Sequence, residues 1–281
     1  MELRASSMRA YQRDRRKFAL ISYTLTMAWL LLALLQWVLV SLIADVTVIF
    51  IKYYWISLIF FILAMIMVTI FIFFERVRTI TCLNWLLCLL IVEFVIIGVF
   101  TLAALSQWQE LLVWYFVCVL LLFVFILIGS IIPHDLTLDV IILFVLAFIF
   151  LIITVWFVMI SILVKTPYSF VVYQVFISIV VLLFVMYHAQ TINGGRFAEM
   201  RLNDYLLAAL ILFYDFIILF LLTFFQQLVM RVIVGRTTTT TASPTLDNRG
   251  MVFFDPIIGP VQEDYMDDDD NSTTTAQMVF K

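Results

Sequence analysis

The sequence predicts an all-α fold: a polytopic membrane protein, a bundle of seven transmembrane helices with a disordered C-terminal tail. Three observations carry that prediction. Hydrophobic residues make up 65% of the chain and charged residues only 12%, against roughly 45–50% and 25% in soluble domains. The mean hydropathy is +1.17. The apolar residues also fall into continuous runs of about 20 or more, the length at which a helix crosses the hydrocarbon core. Lipid-facing strands would alternate over about ten residues instead, and these runs do not alternate.

In chain order the runs cover 18–44, 54–74, 82–105, 111–132, 139–163, 169–191 and 204–229. The breaks between them are Asp45 to Lys52, Glu75-Arg76-Val77-Arg78, Ser106 to Glu110, Pro133-His134-Asp135, Lys165-Thr166-Pro167 and Asn193 to Asn203. Residues 1–17 form a basic cytosolic segment, 18–230 the transmembrane domain and 231–281 an acidic, Thr-rich tail. Orientation follows from Lys and Arg, which favour the cytosolic side. Arg4, Arg9, Arg13, Arg15, Arg16 and Lys17 precede the first run, and the same side collects Arg76, Arg78, Arg196 and Arg201. The opposite loops hold Lys52 and Lys165, so the N-terminus is expected in the cytosol. The first run is too long for a removable leader and is expected to act as a signal anchor.

Seven spans place the tail on the far side, whereas Arg231 and Arg236 directly after the last run favour the near side, so its side stays open. From Thr237 the chain turns polar, with Thr237–Thr241 and the acidic run Asp267–Asp270. That composition cannot bury a core and reads as disorder; a docking tail is the functional alternative. Asn271-Ser272-Thr273 has the glycosylation pattern, which matters only in a lumenal tail. Cys82, Cys88 and Cys118 fall in or at the edge of spans without a C-x-x-C pairing, and read as packing residues.

Charge inside a bilayer is costly, and ionisable residues there usually face the bundle interior, pair, or line a pathway. Three positions qualify: Glu93 in the third run, His188 in the sixth and Asp215 in the seventh. Nothing in the local helix from Leu210 to Phe220 can neutralise Asp215. An imidazole ordinarily titrates near pH 6.5, so His188 is suited to switch charge near neutrality; the bland alternative is a neutral ring bonded to a carbonyl or to Gln190. Glu93 is a candidate pathway-lining residue, or else a protonated or satisfied carboxyl bonded to Asn84 or a neighbouring helix.

The stretch Tyr187-His188-Ala189-Gln190-Thr191-Ile192-Asn193-Gly194-Gly195, then Asp204-Tyr205-Leu206-Leu207-Ala208-Ala209-Leu210, then Tyr214-Asp215 through Leu219-Phe220, resembles the Bax-inhibitor-motif, or Lifeguard, membrane family. That family's pattern runs approximately Y-D-T-Q-L-x-x-G-G, E-D-Y-x-x-A-A-L and Y-x-D-I-I-x-L-F, and Arg16 to Leu25 resembles its juxtamembrane approach to the first span. The resemblance implies a multispanning protein of the endoplasmic reticulum or Golgi, concerned with calcium leak and suppression of cell death. Its partners would be membrane lipids, cell-death regulators or calcium-channel proteins. It implies calcium as a permeant ion rather than any bound cofactor, and Gln190, Gly194, Gly195, Asp204, Tyr205 and Tyr214 as structural motif residues. It also implies a proton-sharing pair of aspartates on the sixth and seventh helices. The second of these corresponds to Asp215, but the first position holds His188. Two carboxylates suit a hard divalent cation, whereas an imidazole beside one carboxylate does not.

Spacing by itself argues against contact. If the sixth helix ends at Asn193, His188 lies about one turn from the surface and Asp215 about three turns in, at 1.5 Å per residue. A direct pair then requires the sixth helix to continue past Gly194-Gly195 or the seventh to begin late. Other classes fit less well. A seven-helix receptor places its N-terminus outside, against the charge bias. A zinc hydrolase needs about three protein ligands, and the chain has only His134 and His188 as histidines. No catalytic site and no nucleic-acid partner are expected, which leaves a pH-sensitive ion leak or a non-conducting regulator acting through protein partners.

Overall fold

The computed structural model describes the backbone of residues 2–164 and 167–241, and side chains chiefly within 8–150 and 175–224. The break at Lys165-Thr166 and everything past Thr241, including Asn271-Ser272-Thr273 and the acidic run, lie outside the described residues. The regular structure described is helical throughout: α1 (Glu2–Leu42), α2 (Ala44–Lys52), α3 (Tyr54–Phe73), α4 (Glu75–Thr79), α5 (Thr81–Gly98), α6 (Phe100–Ala104), α7 (Trp108–Ile131), α8 (Val140–Val164), α9 (Pro167–Asn193) and α10 (Tyr205–Thr241).

Among the described residues, six helices are long and apolar enough to cross a membrane: Met8–Leu42, Tyr54–Phe73, Thr81–Ala104, Trp108–Ile131, Val175–Asn193 and Tyr205–Phe224. The chain is therefore an all-α, multi-pass membrane protein. The expected fifth span is helical over the 25 residues of α8, although its apolar stretch Val140–Phe150 is shorter than a bilayer among the described residues.

Several boundaries differ from the sequence expectation. With no glycine or proline before residue 43 to stop it, α1 runs 41 residues, about twice the hydrocarbon thickness at 1.5 Å per residue. The basic segment is thus a rigid extension of the first span. The break from Asp45 to Lys52 is itself helical, with Asp45 in the first turn of α2 and Lys52 in its last, each placed favourably against the helix dipole. The sequence reading begins the tail at residue 231, but the backbone stays helical to Thr241; no proline intervenes until Pro244. Helix α7 stops at Ile131, two residues before Pro133, as the steric restriction on residues preceding proline favours.

Helix α10 sits at the centre of the bundle. Leu206 to Leu210, Leu212, Phe213, Phe216, Ile217, Leu219, Phe220 and Phe224 are all buried, as expected for a helix apolar on every side. Helix α1 packs against it through Ser22, Thr26, Trp29 and Trp37, which share one face of the helix and meet Tyr205, Ala209, Phe213 and Phe220, while Leu31, Leu35 and Leu39 face lipid. Trp37 stacks on Phe220 with centroids 5.0 Å apart, and its indole N–H donates to the Ile96 carbonyl at 3.0 Å. Apolar side chains gain little from leaving lipid for one another, so close packing must hold the bundle. Gly129 illustrates this: a Cβ there would stand 2.8 Å from the Met186 backbone, so only glycine lets α7 and α9 approach so closely.

One end of the bundle gathers most of the polar chain. Arg15 donates to the Thr191 and Met200 carbonyls, Arg196 donates to the Ile132 and Pro133 carbonyls, Arg201 pairs with Glu75, and Arg78 lies 3.8 Å from Asp204. These contacts put the N-terminal extension, α4, the 132–139 loop and the 194–204 loop on a single face. Cysteines introduced at Arg13 and Arg196 should therefore react with an impermeant thiol reagent from the same side in sealed vesicles. Labelling from opposite sides would overturn this arrangement.

Candidate functional site

The last turns of α9 lead into the 194–204 loop. Helix α9 ends where Gly194 and Gly195 adopt φ of +74° and +75°, a region L-residues avoid and glycine occupies freely. The Gly194 amide donates to the Gln190 carbonyl at 3.0 Å. Space excludes other residues as well: a Cβ at Gly194 would lie 2.5 Å from Arg15 Nε, whereas one at Gly195 would meet nothing within 4 Å. The loop then folds back along α9, with the Met200 amide donating to the Thr191 carbonyl at 3.1 Å. Asp204 closes it. Its carbonyl accepts from the Ala208 amide at 2.9 Å, and its carboxylate lies beside Arg78.

Gln190, 1% exposed, ties α9 to the neighbouring loop. Its amide nitrogen donates to the His134 carbonyl and its amide oxygen accepts from the Leu136 amide, both at 2.8 Å. Asp135 joins the two loops by accepting from the Phe197 amide at 2.9 Å and from the Thr137 hydroxyl at 2.6 Å. The Thr137 hydroxyl is the chief reason its carboxyl is held below the usual range. Partial burial opposes this, and the Phe197 and Thr137 amides and Arg196 assist it.

Arg15 is the residue that sequence reasoning missed. It is one of six basic residues that precede the first run, yet it is only 4% exposed and lies beneath the loop with its guanidinium 5.0 Å from the Phe18 ring. Its spacing of three and seven residues from the inward-facing Phe18 and Ser22 was the available signal. Glu199 stands next to it. Burial pushes that carboxyl up, but hydrogen bonds from the Tyr11 hydroxyl and the Gly195 amide, together with the charge of Arg15, outweigh burial and hold it below the usual range.

Beneath this lid His188 Nδ1 meets Asp215 Oδ2 at 2.7 Å, with side chains 21% and 8% exposed. The two residues share a cavity of about 630 Å³ that reaches up to Glu199 and Met200 and is also lined by Tyr187 and Tyr214. Contact occurs although α9 does end at Asn193, which corrects the depth argument made from spacing. Spacing alone sets both helix ends level. His188 lies five residues from the end of α9 and Asp215 ten from the start of α10, so the folded-back loop accommodates an offset of about 7–8 Å in level or tilt.

The remaining predicted residues separate into two groups. Tyr214 lines the cavity and donates to the Ala64 carbonyl at 3.4 Å, and Tyr205 packs on Trp85 at 6.2 Å. Glu93 lies elsewhere and does not line this cavity. Its two oxygens accept from the Gln36 side chain at 3.1 and 3.0 Å, so its partner is Gln36 on α1 rather than Asn84. His134 pairs with Asp139 at 2.6 Å, apart from His188. Cys88 and Cys118 are buried and Cys82 is exposed. Chemically, the His188–Asp215 pair can hold one mobile proton, Nδ1 donating while the carboxylate is ionised, and become an ion pair when the ring gains a second. It offers a divalent cation a single carboxylate.

No family model, curated protein or solved structure matches this chain. Fold and site define its class, a multi-pass helical membrane protein with a histidine–carboxylate pair inside the bundle.

Two consequences concern the lid. Gly194→Ala should lower stability by about 2–4 kcal/mol through left-handed strain and displacement of Arg15, and Gly195→Ala by only about 1–2 kcal/mol through strain alone; thermal unfolding of both variants in detergent checks the order. Asp135 and Glu199 have depressed carboxyl pKa values, so their contribution is complete above the unfolded values of about 3.9 and 4.3 and is lost as pH falls through the folded ones. The unfolding temperature should drop below about pH 4, and Asp135→Asn should flatten that drop. An equally steep drop in the variant would contradict the assignment.

Proposed function

We propose that the protein is a Bax-inhibitor-motif-type endomembrane protein in which His188 and Asp215 latch a proton-sensitive ion leak that bears on calcium balance and cell-death signalling. The observation that carries this reading is the 2.7 Å His188–Asp215 contact on an intramembrane cavity. The motif residues support it from around the site: Gln190, Gly194, Gly195 and Asp204 hold the lid, and Tyr205 and Tyr214 brace α10. In this reading α8 supplies the seventh span, the polar face with the N-terminus is cytosolic, and the membrane is that of the endoplasmic reticulum or Golgi.

Acid converts the ring to imidazolium, which holds ionised Asp215 by charge as well as by hydrogen bond, so the latch tightens. Alkali returns the neutral ring and loosens it. Glu199 lines the same cavity but titrates well below neutrality, so it supplies no step there. A second reading, a non-conducting regulator working through protein partners, is favoured by one feature: the pair carries a single carboxylate, weak attraction for a hard divalent cation.

Calcium flux in vesicles containing purified protein, at two pH values, separates the two readings. The leak should rise with pH, and Asp215→Asn should abolish that dependence while leaving insertion intact, because the amide keeps the shape but offers the imidazolium no charge to hold. His188→Asp should raise flux at neutral pH several-fold by restoring two carboxylates. If neither variant differs from the parent, the pair is a packing contact and the regulator reading stands.

A further inference from the structure

The extension of α1 has two opposed faces. At about 100° per residue, Tyr11, Phe18 and Ser22 fall within about 60° of Arg15, whereas Arg13 and Lys17 lie about 200° away. The first set turns inward: Tyr11 and Arg15 hold the 194–204 loop, and Phe18 and Ser22 are buried. On the outer side Arg13, Arg16 and Lys17, with Arg9, Gln12 and Leu20, line a shallow groove of about 430 Å³ and are all exposed. Asp14 stands beside them, 4.0 Å from Arg13 Nε. Leu20, 67% exposed, closes the groove on the membrane side, at the head of the lipid-facing stripe that continues through Leu31, Leu35 and Leu39.

We propose that this groove seats the headgroup of an anionic phospholipid from the leaflet on the N-terminal side. The phosphate rests on Arg13, Arg16 and Lys17, and an acyl chain runs down the helix from Leu20. Charge complementarity selects an anion, because long basic side chains at a helix's exit from hydrocarbon reach the headgroup level and attract acidic lipids. Leu20 at the membrane edge selects a lipid over free phosphate, since only a molecule with a chain uses the lipid-facing side of the helix below the cations. The surface also has a consequence inside the bundle. A lipid on the outer face steadies the same turns whose inner face carries Arg15 and Tyr11, and hence the loop that contributes Glu199 and Met200 to the His188–Asp215 cavity. This consequence rests on the leak reading; the lipid surface does not.

The full chain in detergent, titrated with phosphatidylserine or phosphatidylcholine and read by native mass spectrometry, tests it. Phosphatidylserine should be retained in preference to phosphatidylcholine. Replacing Arg13, Arg16 and Lys17 together by Gln should cut that preference roughly a hundredfold, at about fivefold per cation. Arg13→Lys with Arg16→Lys should leave it nearly unchanged, which separates loss of charge from loss of fold. Equal retention of the two lipids, an undiminished preference in the Gln variant, or full competition by millimolar inorganic phosphate would overturn the proposal. Vesicle flux is read separately: a Gln variant that loses the lipid yet keeps the parent's flux and pH response would refute the coupling to the cavity.

Discussion

Hydrocarbon offers Asp215 nothing to bond, and the arrangement around it follows from that constraint. A carboxylate in the middle of a span must find a partner within the protein or reach water. Here it finds a partner, meeting His188 at 2.7 Å on a cavity that Glu199 and Met200 also line. Because α10 is the central helix, a partner on α9 fixes how these two elements sit together. The offset of their ends then forces the connecting chain to fold back, and the fold-back needs two residues of positive φ, Gly194 and Gly195.

Folding a loop against a helix end leaves carbonyls facing inward, and Arg15 answers them. Its guanidinium bonds the Thr191 carbonyl from the helix and the Met200 carbonyl from the loop, with the Phe18 ring against it. A Lys could not span both acceptors with a planar fork. Gln190 does the same for the adjoining loop by offering one donor and one acceptor to backbone partners. These two side chains bind three separate stretches of the chain to the end of α9, and the cavity exists because they hold its roof in place.

Elsewhere the bundle disposes of polarity in pairs. Glu93 takes Gln36, Trp37 takes the Ile96 carbonyl, and Thr26 donates to Ser22 and Ala209 carbonyls. Buried side-chain atoms without a hydrogen bond among the described residues are Arg15 Nε, Arg78 Nε and Asn84 Oδ1, all near the polar end. Deep within the bundle, satisfaction is stricter, in keeping with the greater cost of an unmet hydrogen bond away from water.

The sequence by itself determined the solvent, the all-helical class and the common face of the basic residues in the N-terminal segment, the 75–78 break and the 194–204 loop, because hydrophobic run length and Lys/Arg placement are local and additive properties. Asp215 and His188 were legible for the same reason: a charge in an apolar run is anomalous without reference to anything else. Their contact was not legible, and counting turns from the helix ends argued against it, because relative depth depends on how a loop folds and no local pattern encodes that. Arg15 was hidden among five similar neighbours, since burial depends on which side of α1 meets the bundle. The partner of Glu93 was equally undetermined, as Gln36 lies 57 residues away in the chain. Packing between helices decided all three, for a side chain's environment is set by neighbours distant in sequence, and only the closed bundle brings those neighbours together.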